Sequence, residues 1–572
     1  MSVLLSKIPF ILEFFLNGSF VLIFTLNRYT RLAQNWSPAN VEFYLNLGTK
    51  IVPFVLLAVI LIHLYRLKSF NVFLRRHIFS IIIFVATLIT FGDIEFCFWL
   101  SAIHLVSSIL SIYEDDIDKI KFEGTTILKL FTLQPAQIII LTFVVLIAIG
   151  TILLMLPISS ATIKPLGWVD ALFMSVSASC VTGLATISVG NQLSLFGQLV
   201  LLMLSQIGGL GIMILYASMA ILMGRSIQVK ERIVLQDILD ATNINEIISI
   251  ITDIVRYTFF IELWGAIILT IGFIIEGLDF GAALYSGIFH SIMAFCNSGL
   301  SLYDNNLENY ATKPIINITV AILIILGGIG FVVMKEVRDA VARRRKFNHM
   351  TVHSRVVIVT SLLLIAAGTM IIFFGEFLNA LDNYTLWEKF QIAFFQSVTT
   401  RTAGFNTIAL NNLHNHTIYL MGILMFIGGS PGSTAGGIKT STFATLIFSI
   451  KSMLRGGERV EIFNRTIPQY VVVKSTAITI LSAMLVGFFI FMILKTDGKQ
   501  SFLSIYFEVL SAFGTVGLSL GITPYLSVAG KLTITLLMFV GRVGPLTLAL
   551  AIGNQTKFSG KVEYPEGRIM IG

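Results

Sequence analysis

The chain alternates long apolar runs with short polar segments along most of its 572 residues. A helix needs about 20 apolar residues to cross the ~30 Å hydrocarbon core of a bilayer. By this measure the apolar runs predict four membrane helices before residue 135, the third of them short, at roughly 8–26, 51–65, 78–91 and 95–112. Beyond residue 135, pairs of long runs enclose shorter runs rich in Gly, Ser and Thr. The long runs predict helices at 138–156, 195–223, 250–275, 314–343, 356–375, 417–450, 470–494 and 529–552.

An internal repeat organises the second part of the chain. Four glycines, each ten residues after a phenylalanine, are separated by 116, 105 and 113 residues. The glycines are Gly183, Gly299, Gly404 and Gly517, and the phenylalanines are Phe173, Phe289, Phe394 and Phe507. A second glycine site follows each turn, at 208–209, 327–328, 428–429 and 541–542. The segment from each Phe to its Gly would span only about 18 Å as a helix, so it must enter and leave the membrane on one side.

Charge and composition support a membrane protein with parallel repeats. Hydrophobic residues make up 56% of the chain and charged residues 12%, against about 25% charged in soluble proteins. Loops assigned to one side, with both termini, hold 26 Lys and Arg, and loops on the other side hold 8. The positive-inside rule therefore predicts cytoplasmic termini. The basic run at 343–346 is interpreted as a topology signal and lipid contact rather than a nucleic-acid site.

The predicted fold is an all-α membrane protein in which four parallel repeats surround a central pore with pseudo-fourfold symmetry. The predicted divisions are 1–135 for the extra N-terminal helices, then repeats at 136–246, 247–350, 351–460 and 461–572. A cation that loses its water needs replacement oxygens, and rings of backbone carbonyls from four loops can supply them. Glycine permits the backbone conformations that such closely packed loops need. The pattern therefore predicts a cation pore.

Several motifs resemble the TrkH/KtrB/HKT superfamily of potassium transporters over roughly residues 136–555. They are the four glycine turns together with SQIGGLGIM (205–213), QSVTTRTAGFNT (396–407), GGSPGSTAGGIKTST (428–442) and SAFGTVGLS (511–519). The resemblance implies four M1–P–M2 units around one pore. It also implies that potassium binds to carbonyls of Val181, Thr182, Gly183, Asn297, Ser298, Gly299, Thr402, Ala403, Gly404, Thr515, Val516 and Gly517. In plant members a serine at the first of these glycines accompanies sodium permeation, so Gly183 resembles the potassium-selective pattern. The four N-terminal helices depart from the family pattern and have no assigned role.

The second glycine site of the third repeat predicts a break in a membrane helix. The break is indicated by Gly428, Gly429, Pro431, Gly432, Gly436 and Gly437, because proline and glycine both disfavour a helix interior. A loop there is either a passive kink or a block in the pore, and the resemblance implies the intramembrane gate. Arg542 replaces the second glycine in the fourth repeat, and an intramembrane arginine is a functional candidate. Lys439 is either a second donor to the loop or an ordinary cytoplasm-facing lysine.

Two transport mechanisms stay open. The favoured one is passive, gated potassium conduction, and the alternative is a sodium- or proton-coupled symporter on the same scaffold. Glu262 is a buried acid that serves either proton coupling or structure. No motif of a membrane enzyme is present in the sequence. The resemblance further implies a homodimer in the bacterial inner (plasma) membrane, paired with a cytosolic RCK-type ring that binds nucleotides, and no organic cofactor on this chain.

Overall fold

A computed structural model of the chain describes residues 135–161, 164–211, 244–344, 346–457 and 459–552. The predicted helices of the first 135 residues lie outside these ranges. The regular secondary structure of the described residues is helical, apart from one two-stranded antiparallel hairpin. In chain order the helices are α1 (Pro135–Met155), α2 (Trp168–Ser179), α3 (Val189–Gln192), α4 (Leu195–Leu210), α5 (Ile244–Ile275), α6 (Phe280–Phe295), α7 (Pro314–Gly328), α8 (Phe331–Ala342), α9 (Val352–Gly375), α10 (Leu386–Thr399), α11 (Asn415–Phe426), α12 (Thr440–Leu454), α13 (Gln469–Thr496), α14 (Phe502–Gly514), α15 (Val528–Val543) and α16 (Pro545–Ile552). The strands are β1 (Glu461–Ile462) and β2 (Arg465–Thr466), and short 3₁₀ turns lie at Pro157–Ser159, Glu308–Tyr310, Phe347–His349, Leu410–Asn412 and Thr523–Tyr525.

Three helices of the described part are long and apolar enough to cross a bilayer: α5, α9 and α13. The pair α7 and α8 passes the same test together but is bent by 107°. Large apolar side chains on the long helices face outward, for example Phe260 at 53% exposure, Leu362 at 63% and Met484 at 67%. Exposed apolar surface of this extent indicates contact with lipid. The short apolar helices α4, α6 and α14 are below spanning length.

The helices form four groups of three, each a long helix, a short helix and an outgoing helix, in which the long helix contacts the other two. Unit 1 contains α1, α2 and α4; unit 2 contains α5, α6 and α7; unit 3 contains α9, α10 and α11; unit 4 contains α13, α14 and α15. Neighbouring units join through one kind of contact, in which the outgoing helix packs on the next unit's short helix. These contacts are α4 with α6, α7 with α10, α11 with α14, and α15 with α2. The last contact returns to unit 1, so the four units close into a ring.

Polar side chains fix where the short helices begin. Asp279 caps α6 by accepting from the backbone N–H of Gly281. Ser501 caps α14 in the same way. Thr385 and Glu388 form a capping box at the start of α10, in which each side chain accepts from the other residue's backbone N–H. These caps satisfy orphan donors of the first turn in units 2, 3 and 4, whereas α2 of unit 1 begins after Gly167 without a side-chain cap.

A phenylalanine in each short helix lies at the centre of its unit. Phe173, Phe289 and Phe507, each ten residues before its glycine, are fully buried. In unit 3 the equivalent residue is Phe395, at 1% exposure, and the alignment with Phe394 was wrong by one position. The hydroxyls of Ser175, Ser291 and Ser397 confirm this register, because each donates to a carbonyl of its own unit's long helix. The turn of unit 3 is therefore one residue shorter than the others.

The outgoing helices end earlier than the apolar runs predict. The run 314–343 breaks between α7 and α8, and the run 529–552 breaks between α15 and α16. The cause is a glycine at positive φ three residues after the second glycine site: Gly211 (φ 84°), Gly330 (φ 95°) and Gly544 (φ 91°). The predicted break in 417–450 is confirmed, since α11 ends at Phe426 and α12 begins at Thr440.

Candidate functional site

The four glycine turns share an unusual backbone. The residue two before each glycine is left-handed: Val181 (φ 56°), Asn297 (φ 59°), Thr402 (φ 71°) and Thr515 (φ 51°). Three of these residues are β-branched, and a β-branched residue at positive φ is an outlier that costs about 1–3 kcal/mol. Such strain persists only where the surroundings over-determine it, and it concentrates at functional sites.

Hydrogen bonds at the ends of the short helices hold this backbone. In unit 1 the N–H of Thr182 donates to the carbonyl of Ser177 (2.7 Å), the bond that closes a Schellman motif. Ser298 in unit 2 and Val516 in unit 4 make the equivalent bond, both at 2.8 Å. In unit 3 the bond runs from Ala403 to Thr399, one residue nearer, which is the shortened turn already seen at Phe395.

The four glycines meet in one closed ring. A Cβ on Gly183 would lie less than 3.0 Å from the carbonyl oxygen of Ser298, in the next unit. The same relation holds between Gly299 and Ala403, between Gly404 and Val516, and between Gly517 and Thr182. Each glycine thus abuts the carbonyl that precedes the following glycine, and the fourth abuts the first unit. The ring brings all twelve residues of the sequence-predicted triplets to one place.

Side chains of the ring add further oxygens. The hydroxyls of Thr182, Thr402 and Thr515 are buried and have no hydrogen-bond partner. The hydroxyl of Ser298 pairs with that of Ser205 on α4 (3.0 Å). A buried hydroxyl without a partner carries a desolvation cost unless a ligand satisfies it.

The glycine-rich loop between α11 and α12 lies directly against two of the turns. A Cβ on Gly436 would collide with the hydroxyl of Thr515, and one on Gly428 would collide with the carbonyl of Gly436. The loop is fixed to unit 2, because Ser430 and Thr434 donate to the carbonyls of Gly328 (3.0 Å) and Gly327 (3.2 Å). It therefore packs under the ring on the side toward the ends of the outgoing helices.

Both basic residues predicted near the loop donate to it. Arg542 donates to the carbonyl of Thr434 in the loop and to the carbonyls of Gly208 and Gly209 at the end of α4. Lys439 donates to the carbonyl of Ala435 at 2.6 Å. Of the two interpretations of Lys439, the structure favours the donor.

Arg401 is a site residue that the sequence-based prediction missed, although it lies in the motif QSVTTRTAGFNT. It precedes Thr402, is 9% exposed, and donates to the carbonyls of Ser361 (3.2 Å) and Gly428 (3.3 Å). Its side chain therefore connects the unit 3 turn to the first residue of the loop. The signal was available, because an arginine inside an apolar run is a candidate by default.

Asn306 was also missed. Its side-chain amide lies 3.4 Å from the carbonyl oxygens of both Gly299 and Gly404, and its Oδ1 is buried without a partner. The loop that carries it is bound to unit 3, since Leu307 donates to the carbonyl of Asn406 (3.1 Å). Nothing in the sequence pattern indicates this crossing, because the loop lies between the predicted elements.

Glu262 accepts hydrogen bonds from the amide of Gln206 on α4, at 2.9 and 3.2 Å. The amide oxygen of Gln206 in turn accepts from the thiol of Cys296 in the unit 2 turn (3.1 Å). The acid is thus part of a hydrogen-bonded chain between two units, which favours its structural interpretation.

Comparison with known proteins agrees with this architecture. The sequence model of the TrkH family, described as cation transport proteins, matches residues 126–561. The chain belongs to the TrkH family of cation transport proteins. The match spans all four units of the ring, and the matched family is a family of transport proteins, not of enzymes.

Several members of the TrkH family align with nearly their full length. The Ktr system potassium uptake protein B of Bacillus subtilis is 38% identical over 448 residues, covering 78% of this chain and 98% of that protein. The potassium/sodium uptake protein NtpJ of Enterococcus hirae is 36% identical, covering 77% and 98%. The Ktr system potassium uptake protein B of Vibrio alginolyticus is 33% identical, covering 76% and 94%.

A solved structure supports the fold. The crystal structure of the potassium transporter TrkH from Vibrio parahaemolyticus covers 88% of this chain and 98% of its own, with a TM-score of 0.58 and 19% identity. At that identity the likeness speaks for a TrkH fold alone.

Proposed function

We propose that the chain conducts potassium ions across the membrane through the ring of backbone carbonyls. The observation that carries this proposal is the closed contact of Gly183, Gly299, Gly404 and Gly517. A ring of carbonyls can replace the water that an ion loses on entry. The C-terminal ends of the four short helices meet at the ring, and their partial negative charge favours a cation there. The ion ligands are the three carbonyls of each turn, from Val181–Gly183, Asn297–Gly299, Thr402–Gly404 and Thr515–Gly517.

The four units of the ring are the M1–P–M2 repeats of this pore. Their boundaries are 136–246, 247–350, 351–460 and 461–572, with residues 1–135 as additional membrane helices. The relatives named for potassium uptake support potassium as the transported ion. The protein lies in the plasma membrane, surrounded by lipid, with both termini in the cytoplasm, as the asymmetry of Lys and Arg indicates.

The loop from Gly428 to Lys439 is the gate. It packs against Thr402 and Thr515 under the ring, where it blocks the path of an ion. Arg542 holds the loop closed and places a fixed positive charge beside the path, which raises the barrier to cations. Lys439 supports the loop from within. Opening of the gate requires the loop to move away from both Thr402 and Thr515.

Regulation comes from outside the chain. The protein acts as a homodimer, and a cytosolic RCK-type ring that binds nucleotides docks on its basic cytoplasmic face. A relative is named as protein B of a Ktr potassium uptake system, and this name supports the proposal that the chain works with partner proteins. Co-purification from native membranes tests this association, and isolation of the chain as a monomer without such a ring would contradict it.

Ion flux into liposomes that contain the purified protein tests the proposed function. Uptake of potassium and rubidium should exceed uptake of sodium and lithium, and it should follow the potassium gradient. A fixed stoichiometry with sodium or protons would instead favour the symporter. Equal uptake of all four ions would contradict the proposed role of the ring.

A further inference from the structure

Glu508, on the short helix α14, is fully buried one position after Phe507. Its carboxyl group accepts hydrogen bonds from the hydroxyls of Ser519 (2.7 Å) and Thr523. Ser519 lies two residues after Gly517, so the bond from Ser519 joins the chain segment that leaves the ring to the helix that leads into it. The Ser519 hydroxyl also accepts from the backbone N–H of Gly521 (3.0 Å).

His290 makes the same connection in unit 2. It is fully buried one position after Phe289, and its Nε2 lies 3.0 Å from the hydroxyl of Ser301. Ser301 lies two residues after Gly299, and its hydroxyl accepts from the backbone N–H of Tyr303 (3.1 Å). The imidazole is fixed on its other side by a contact of 2.8 Å between Nδ1 and the carbonyl of Ser286. The ring of Tyr303 stacks on it at 5.2 Å.

Of the other two units, one has a weaker connection at this position and one has none. In unit 3 the equivalent residue is Gln396, whose amide lies 3.4 Å from the hydroxyl of Thr407. In unit 1 it is Met174, a buried side chain without a hydrogen-bonding N–H or O–H group. The order of contacts around the ring puts units 2 and 4 opposite each other. The two ionisable side chains thus hold opposite walls.

We propose that Glu508 and His290 are positioning residues. They fix the chain segments that follow Gly517 and Gly299, and thereby set the carbonyl spacing that distinguishes potassium from sodium. This inference rests on the proposed function. Both turns have a left-handed residue, Thr515 and Asn297, and the β-branched Thr515 is strained in that conformation. A strained backbone keeps its geometry only where its surroundings hold it. The bonds of Glu508 and His290 hold the chain segment that follows each glycine. The hydrogen bonds at the helix ends do not reach this segment.

The reversal potential under opposed potassium and sodium gradients tests the proposal. Glu508→Ala, which loses the hydrogen bonds from both Ser519 and Thr523, should lower the potassium-to-sodium permeability ratio by about tenfold, the order of effect expected from buried hydrogen bonds of typical strength. Glu508→Gln keeps an acceptor for Ser519 and should restore most of the ratio. His290→Ala, which loses one hydroxyl contact, should lower the ratio less. Met174→Leu changes the equivalent position where no such bond exists, and it should leave the ratio unchanged.

A second set of variants covers a failure of Glu508→Ala to fold. Ser519→Ala and Thr523→Ala remove the partners and leave the helix intact, and each should lower the ratio. Unchanged ratios in the folded Glu508 and Ser519 variants would overturn the positioning role, and so would an equal loss in Met174→Leu. A wild-type protein that does not discriminate between the two ions would instead overturn the proposed function itself.

Discussion

Unit 3 differs from the other three units where its outgoing helix passes under the ring. In units 1, 2 and 4 the first residue of the second glycine site packs against a carbonyl at the end of the unit's own short helix. The pairs are Gly208 with Ser179, Gly327 with Phe295, and Gly541 with Phe513. In unit 3 the partner of Gly428 is the carbonyl of Gly436, inside the loop. Three units therefore use this glycine for helix packing, and one uses it to fold a loop against the turns.

The comparison teaches that one repeated glycine can serve two purposes, and that the surrounding residues decide which. Units 1, 2 and 4 carry a further glycine three positions on, which ends the helix in a single step. Unit 3 carries Pro431 at that position, followed by a longer irregular segment. The difference predicts that changes in unit 3 affect flux, whereas equivalent changes elsewhere affect stability.

Deletion of residues 431–436 should have the largest effect. We expect potassium flux in the absence of partners to rise by about a hundredfold, since the deletion removes the loop's charged hydrogen bond to Arg542, of about 1.5–3 kcal/mol. Flux into liposomes measures the change. Gly432→Asn is the control, because Gly432 is left-handed with open space around it and asparagine tolerates that conformation. Wild-type flux in the deletion variant would contradict the gate.

Gly327→Ala should destabilise the protein by about 2 kcal/mol, because the added Cβ would collide with the backbone at Phe295. Denaturant unfolding in detergent measures this cost. Gly487→Ala, on α13 with nothing within 4 Å, should be tolerated or stabilising, since alanine favours a helix by about 1 kcal/mol. Equal stability of both variants would show that the glycine of unit 2 is not there for close packing.

Gly183→Ser should lower the potassium-to-sodium permeability ratio by about tenfold, as a shift of ~1.4 kcal/mol in ion preference would. The side chain would meet the carbonyl of Ser298 and must also adopt φ 93°. Gly404→Ser meets a carbonyl at 2.5 Å and should act in the same direction. Reversal potentials give the potassium-to-sodium permeability ratio of each variant. An unchanged ratio in both would contradict a role of the ring in ion selection.

Thr385→Ala should have the smallest effect. It removes the capping box at the start of α10, at a cost of about 1 kcal/mol. Thermal unfolding should show the loss, while Thr385→Ser should retain the cap. Because α10 ends at the turn of unit 3, a change in ion ratio beyond the stability loss would indicate that the cap also positions the turn.

The sequence predicts the helical class, the long helices α5, α9 and α13, and the break under unit 3, because each depends on local composition. The repeat also indicates which residues meet, since equivalent glycines in equivalent units converge. The shorter turn of unit 3 was missed, because two adjacent phenylalanines fit the spacing and only burial distinguishes Phe395 from Phe394. The breaks at Gly211, Gly330 and Gly544 were missed because the apolar character continues past them.

Contacts between units were beyond the reach of the pattern. Asn306 reaches two turns from a loop, and Gln206 joins Glu262 to Cys296 across a unit boundary. Such pairs depend on how whole helices dock, and neither periodicity nor spacing encodes that. The family resemblance predicted the ring. The unequal hydrogen bonding of Glu508, His290, Gln396 and Met174 could be seen only in the atomic structure.

Arg542 begins in unit 4 but spans two walls that face each other, through Thr434 on one side and Gly208 on the other. One guanidinium therefore links the glycine-rich loop after α11 to the end of α4. All three acceptors, at Thr434, Gly208 and Gly209, are main-chain oxygens, so no side-chain replacement at these positions deletes them. Variation that removes these hydrogen bonds must therefore arise at residue 542 itself or in the backbone that presents those three carbonyls.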